Sequence, residues 1–533
     1  MKNNFIKYLF IVVVILLIVF AVFKINKDNS KNEEENSGEN NKKQETTVAQ
    51  DLRLAIVNYD SINPILSKNS NVQDISRIVF EPLITLSKDY KPEGCLATEW
   101  SISGDNSYII KLRDNVKWHD GSSFTSKDVQ FTIDKLKNID SIYSANVQHV
   151  VQVEVIDDYT IKITLDGKDP YFEYNLTFPI LSNNFYLEQD FQTTEKNNVP
   201  MGTGMYKIVS NQGGVITLKK NQNWWNLESK NAKVEEIKVN LYGSMGDAYN
   251  AFKMGNLDLL VTQNNDLEKY VGTIGYNKID FKGREYDFLA MNCSNTFLSD
   301  VNVRKAVNFS IDKENIIATV FNGKYYSMDF PLDYGMWLYN SESSSSGYNP
   351  DQAKQLLIDS GWEYNKGYWQ KKENYKTLKL AFNLTVNSDN EARTRVAEII
   401  KANLEAIGIP VNITKVSSAN YSNILQNKNY ELLIAGTNIG LSPNLNTYLG
   451  EGNIANFTND ECTELLKEIS NITDNEKLKE KYQDLANLYK EQSPYKSLYI
   501  NQKSMICSTN LRADIIPNNY SIYYNIENWY REI

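Results

Sequence analysis

The chain has 533 residues and a formal net charge of −10, with 23% charged and 41% hydrophobic residues. That length suits more than one domain or one large multi-lobed unit. The acidic balance argues against a nucleic-acid partner, because phosphates need a basic face. Two histidines, His119 and His149, leave little imidazole chemistry. Four cysteines, Cys95, Cys293, Cys462 and Cys507, have neither zinc-site nor disulfide-framework spacing. One disulfide and four buried thiols are both open readings.

Lys2 and Lys7 flank the start of an apolar stretch that runs from Tyr8 to Phe23. With Phe5 and Ile6 it is long enough to span a bilayer, and no small-residue cleavage site follows it well. Residues 1–25 therefore read as an uncleaved membrane anchor with its N-terminus inside; a cleaved signal peptide is the alternative. Residues 26–50 are rich in Asn, Lys, Glu and Ser and read as a disordered tether, with a reach of roughly 25–30 Å as a random coil.

Leu52–Val57 is an apolar strand candidate, and Tyr59-Asp60-Ser61-Ile62-Asn63-Pro64 is a loop. The apolar run Val79–Leu86 predicts the end of an amphipathic helix that starts near Asp74. Tyr108, Ile110 and Leu112 alternate with Ile109, Lys111 and Arg113 as in a half-buried strand. His119-Asp120-Gly121 is turn chemistry. Thr125 with Asp128 resembles an N-cap, and Val129, Ile133 and Leu136 share one face of the helix behind it. Val150–Ile156 and Tyr159–Leu165 are strands joined at Asp157-Asp158. Pro200–Lys207 is glycine-rich but lacks the Gly-Lys-Ser/Thr ending of a phosphate loop; its glycines suit a tight crossing between lobes. Ala248–Leu260 reads as a helix, a stop at Gly255 and a strand. Asn349-Pro350 to Gly361 is a capped helix. Leu378–Leu384, Glu391–Ile407, Val411–Val416 and Tyr430–Ala435 read strand, helix, strand, strand, which is α/β organisation. Helices around Asp460–Ile469 and Glu476–Glu491 precede a strand at Ser497–Ile500.

The order of side chains says more. Glu81-Pro82-Leu83, Leu96-Ala97-Thr98-Glu99-Trp100, Tyr108–Arg113, Trp118-His119-Asp120-Gly121, Pro200–Lys207, Asn221–Asn226 and Ser299–Val307 are the marked stretches. Together they resemble the extracellular solute-binding proteins of oligopeptide, dipeptide and nickel ABC importers. That family is often lipid-anchored through a cysteine after the apolar segment, which is absent here. The resemblance implies a bilobed, periplasmic-binding-protein-like α/β fold of the large three-part type, with a hinge, preceded by one transmembrane helix. Lobe I is expected at 51–86, 200–291 and 493–533, an inserted subdomain at 87–199, and lobe II at 292–492.

The implied function is a membrane-tethered subunit on the outer face of a Gram-positive cell. It would capture oligopeptides in an interlobe cleft and deliver them to ABC permease subunits by lobe closure. A sensor or a binder of a nickel complex or oligosaccharide, and an extracellular hydrolase using His119, are the rivals. No cofactor, metal or catalytic residue is implied, and the chain is expected to be a monomer. The expected cleft lining is Asn58, Tyr59, Asp60, Ser61, Tyr143, Gly436, Thr437, Asn438, Ile439 and Gly440. In peptide-binding relatives an Asp beside the last segment meets the peptide ammonium; Gly436–Pro443 holds no acid, so either another carboxylate such as Asp60 substitutes or the ligand lacks that ammonium.

Overall fold

A computed structural model describes residues 48–104, 106–263, 267–332, 335–338 and 347–533. The expected anchor at 1–25 and most of the tether lie outside the described residues. Among those described, no helix is long and apolar enough to cross a membrane. The end of the expected tether is structured: Ala49 donates to the Arg531 carbonyl at 2.8 Å, and Gln50 accepts from the Glu235 and Glu236 amides.

Strand β1 (Asp51–Val57) leads to helix α1 (Ser70–Ser76), then strands β2 (Ala97–Ser103) and β3 (Ser107–Leu112). Helix α2 (Ser126–Asn138) is followed by β4 (Val150–Asp157) and β5 (Thr160–Leu165), which complete a four-stranded sheet in the order β2-β3-β5-β4. The alternation along β3 holds, with Tyr108, Ile110 and Leu112 buried. Asp128 accepts from the Thr125 amide at 2.8 Å, so the expected cap forms.

Strands β6 (Tyr206–Gln212), β7 (Val215–Lys220) and β8 (Glu236–Tyr242) join β1 in a second four-stranded sheet, β1-β8-β7-β6, with β1 parallel to β8. Helix α3 (Met245–Lys253) and strand β9 (Leu259–Thr262) follow, separated by Gly255 as expected. Two elements differ from the sequence reading here. The run Val79–Leu86 is a turn and a short strand, Ile84–Leu86, because α1 ends at Ser76. Backbone groups of Ile78 and Val79 are instead claimed by Tyr206 and Gly204, whose amides donate to their carbonyls at 3.0 and 2.9 Å. The glycines of 200–207 do mark a tight crossing, but against this turn rather than between lobes. A Cβ on Gly202 would stand 2.0 Å from the Val79 carbonyl oxygen, a contact no side chain survives.

The rest is built on a seven-stranded sheet. Strand β10 (Tyr276–Met291) is followed by helices α4 (Val301–Ser310) and α5 (Lys313–Phe321), then β11 (Phe382–Asn387), helix α6 (Glu391–Ala406), β12 (Val411–Val416) and β13 (Leu432–Asn438). Helices α7 (Asp460–Ile469) and α8 (Asn475–Gln492) precede β14 (Tyr495–Ser508). The strand order is β9-β14-β10-β13-β11-β12, and a seventh short strand, Tyr326–Ser327, pairs with β14 off this path. Strands β10 and β14 are antiparallel from Tyr276↔Ser508 to Ala290↔Tyr495, with a register shift between Lys282 and Tyr286. Asn501 fills that shift, its side-chain oxygen accepting from the Glu285 amide at 3.0 Å.

That shift separates the first of three interiors from the other two. Phe281, Met505 and Cys507 pack into the core that holds β1, the second sheet and the β2–β5 subdomain. Leu289, Met291, Leu498 and Tyr499 pack into a second core with α4 and α6. Tyr286, Phe288, Tyr495 and Ile500 join a third with α7 and α8. A single strand pair thus runs through both halves of the molecule. All four cysteines are free thiols.

A cavity walled by the first helix and the long strand pair

A cavity of about 1090 Å³ opens where these parts meet. Helix α1 supplies Ser70 and Asp74 and its C-cap supplies Arg77, spaced i, i+4, i+7 along one face, while Val72 and Ile75 face the core. Asn69 fixes the start of that helix: its side-chain oxygen accepts from the Asn71 and Val72 amides, and its Nδ2 donates to the Val57 and Asn58 carbonyls. Strands β10 and β14 contribute Arg284 and Lys503, and the segment after β13 contributes Asn438, Gly440, Leu441 and Ser442. Arg284 holds that segment, since its Nε donates to the Ile439 carbonyl at 2.8 Å and its own carbonyl accepts from the Ile439 amide. Tyr143, Tyr174 and Tyr520 complete an amphipathic lining.

The charges are distributed unevenly. Burial pushes the Asp74 carboxyl up to about 6, against the pull of Lys503 and Arg77. The Arg77 guanidinium lies 4.0 Å over the Tyr520 ring, and its Nε has no hydrogen-bond acceptor. Lys68 at the cavity wall is paired with Asp140. Tyr143 is held by Gln73: its hydroxyl donates to Oε1 at 2.7 Å, while Gln73 Nε2 donates to the Pro64 and Ser67 carbonyls.

The ten residues expected to line one cleft are divided. Asn58, Tyr143, Asn438 and Gly440 line this cavity. Asp60 and Ser61 line a separate cavity of about 480 Å³ with Asp140 and Asn197. Asp60 is occupied within its own loop, accepting from Ser61 N–H, Ser67 Oγ and Lys68 N–H at 2.7, 2.6 and 2.8 Å. Burial raises its carboxyl, but these bonds outweigh that and hold it below the ordinary value. It lies outside the cavity that Asn58 and Tyr143 line. Tyr59 packs on the first core, with its hydroxyl accepting from Asn211 at 3.1 Å. Ile439 is buried.

Gly436 and Thr437 line a third cavity of about 360 Å³, around Asp287 and Arg393. The Arg393 guanidinium grips Asp287 through Nε and Nη2 at 2.9 and 2.7 Å, and Tyr499 donates to the same carboxylate at 3.0 Å. A Cβ on Gly436 would lie 1.8 Å from Arg393 Nη2 and 2.0 Å from Asp287 Oδ1. Position 436 lacks a side chain because that ion pair occupies the space.

The strongest sequence motifs hold the scaffold. Glu81, 6% exposed, accepts from the indoles of Trp224 and Trp225 at 2.9 and 3.0 Å and from Thr203 Oγ1 at 2.8 Å. His119 receives the Gly202 amide on Nδ1 at 3.2 Å and sends Nε2–H to the Gly204 carbonyl at 3.1 Å. Both ring nitrogens are engaged in backbone bonds, so the imidazole that a hydrolase would use is a structural group; burial lowers it to about 4. His149 sits at the surface with Asp166. Arg304 donates to the Gln492, Leu298 and Ser299 carbonyls, closing the turn after α8.

Residues 91–455 match the family of bacterial extracellular solute-binding proteins, family 5 Middle. The chain belongs to that family. It is 26% identical over 461 residues to the heme-binding protein A of Haemophilus influenzae, covering 79% of this chain and 81% of that protein. It is 22% identical over 491 residues to the oligopeptide-binding protein AppA of Bacillus subtilis, covering 88% and 89%. Among solved structures, HbpA2 from Haemophilus parasuis superposes with a TM-score of 0.77 at 20% identity, covering 91% of this chain and all of that one. The fold is thus the bilobed α/β binding-protein fold of ABC importers, and its relatives are solute-binding proteins rather than enzymes.

Asp74, Arg77, Arg284 and Lys503 were not singled out as site residues by sequence. The i, i+4, i+7 spacing of Ser70, Asp74 and Arg77 beside an apolar face was a readable signal. Arg284 and Lys503 gave none, because each stands in a strand whose pairing is set by residues more than a hundred positions away.

Proposed function

We propose that this chain is the extracellular substrate-binding subunit of an ABC importer for small solutes of the peptide class, tethered to the membrane by residues 1–25. The observation that carries this reading is the cavity of about 1090 Å³ lined by both halves of the molecule. Its volume suits an oligopeptide-sized ligand. Its lining joins aromatic rings with a few charged and amide groups, the mixture that fixes a ligand's orientation. The strand pair β10–β14, with its register shift at 282–286, is the hinge about which two lobes close on the ligand. Lobe I is the first core with its inserted subdomain, and lobe II is the part built on α4 to α8. A ligand that touches both lobes favours the closed form by its differential affinity for it.

The relatives' names cite both heme and oligopeptides, so the family alone leaves the ligand class to the cavity itself. The test is native mass spectrometry of the purified protein. A bound small solute, displaced when the cavity residue Tyr143 is replaced by Trp, is expected. A protein that is empty as purified and takes up nothing from a mixed small-solute library refutes the reading. Carbonate extraction of cell membranes checks the tether: the full chain stays with the membrane, whereas a chain starting at Asp51 is released.

A further inference from the structure

The charged groups of the cavity favour a particular kind of ligand. Of its charged lining residues, Lys68 already has Asp140 as a partner, and Arg284 is bonded to the segment after β13. Asp74, Arg77 and Lys503 remain. Among the described residues no acid lies within ion-pairing distance of Arg77 or Lys503, and no donor reaches the Asp74 carboxylate. Two cations therefore share one acid, inside a chain whose overall charge is −10. A ligand ammonium placed at Asp74 would enter a field that Arg77 and Lys503 already dominate. A ligand carboxylate placed between Arg77 and Lys503 would balance the excess cation. The Arg77 guanidinium is held 4.0 Å over the Tyr520 ring. A guanidinium held by stacking is preorganised for a carboxylate.

We infer that the cavity selects acidic solutes, those carrying more carboxylates than cationic groups, and that Arg77 and Lys503 receive a ligand carboxylate. This rests on the solute-binding reading and narrows it. It also explains why no acid is needed on the segment after β13: in this chain α1 and β14 make the ionic contact, and the contact is with an anion.

The test is equilibrium dialysis of the full chain in detergent against an equimolar mixture read by mass spectrometry. The mixture holds Ala-Glu-Ala, Ala-Ala-Ala, Ala-Lys-Ala, Ala-Ala-Ala amide, and free di- and tricarboxylic acids. Enrichment of Ala-Glu-Ala or of the free acids over Ala-Lys-Ala and the amide is expected. The two arms separate an acidic peptide from a free polycarboxylate as the ligand. Arg77→Gln and Lys503→Gln should each weaken the enriched solute by about ten- to a hundredfold, the effect of losing one charge-assisted hydrogen bond. Asp74→Asn should keep or strengthen it, and all three variants should show native circular dichroism. Enrichment of Ala-Lys-Ala, or binding lost in Asp74→Asn and kept in Arg77→Gln, overturns the inference while leaving the solute-binding reading intact. Absence of any bound solute overturns both.

Discussion

The buried carboxyl of Glu81 makes a sharp prediction. It lies among Trp224, Trp225 and Thr203, and burial raises it from an ordinary 4.5 to about 7 against the pull of those hydrogen bonds. A carboxyl with a raised folded-state value binds its proton more tightly in the folded chain. Its contribution is therefore fully present below pH 4.5 and is lost as the pH rises through 7. The gap corresponds to about 3 kcal/mol. Glu81→Gln keeps an oxygen for the two indoles and places an amide opposite Thr203, but does not titrate. Urea unfolding of wild type and variant at several pH values from 4.5 to 8, followed by circular dichroism, measures the difference directly. Other groups raised by burial, such as Glu173 at about 7, are common to both proteins and cancel. The variant is expected to gain about 3 kcal/mol relative to wild type across that range. Two profiles that run parallel would show that Glu81 is ionised in the fold at every pH, stabilised by its three donors more than burial opposes it.

The remaining tests probe the scaffold and the cavity apart. His119 is lowered from 6.5 to about 4, so the wild type should lose up to about 3 kcal/mol as the pH falls from 6.5 through 4. His119→Gln should lack that loss in thermal-shift profiles while being less stable at pH 7 by about 1–2 kcal/mol. Gly436→Ala should cost about 3 kcal/mol in urea unfolding, because its Cβ displaces the Arg393–Asp287 pair; a neutral result would mean that the pair moves aside freely. Asp60→Asn should cost about 1–2 kcal/mol through its loop bonds. By isothermal titration it should leave affinity for the bound solute unchanged within twofold.

Legibility followed the range of the forces involved. Helix α2, strand β3 and the β4–β5 hairpin are set by local periodicity and turn chemistry, and the sequence shows them. The two longest strands escaped for a physical reason. β10 begins as Tyr-Asn-Lys-Ile-Asp-Phe-Lys-Gly at the edge of one core and ends as Tyr-Asp-Phe-Leu-Ala-Met inside another. No single period describes it, because its surroundings change halfway. Likewise only the middle of β14, Ser497–Ile500, has the composition of a strand. Helix Ser418–Asn427 was missed because it buries no residue fully and carries little apolar pattern.

The same division explains why family was easier to read than ligand. Glu81, His119, Trp224, Trp225 and Arg304 each close a buried polar contact, and Gly202 stands where a Cβ would strike the Val79 carbonyl. Such contacts say how the lobes are built. The cavity wall obeys a weaker constraint. Asp74, Arg77 and Lys503 make no ion pair among the described residues, and the one local mark they carry is the helical spacing of Asp74 and Arg77. Their lack of an ion-pair partner is the property that makes them available to a solute. Asp60 and Gly436 differ from them: Asp60 has three internal donors and Gly436 is hemmed in by an ion pair, so both serve the fold. In this chain a polar side chain's remaining hydrogen-bonding capacity, more than its place in a motif, separates a ligand contact from a structural one.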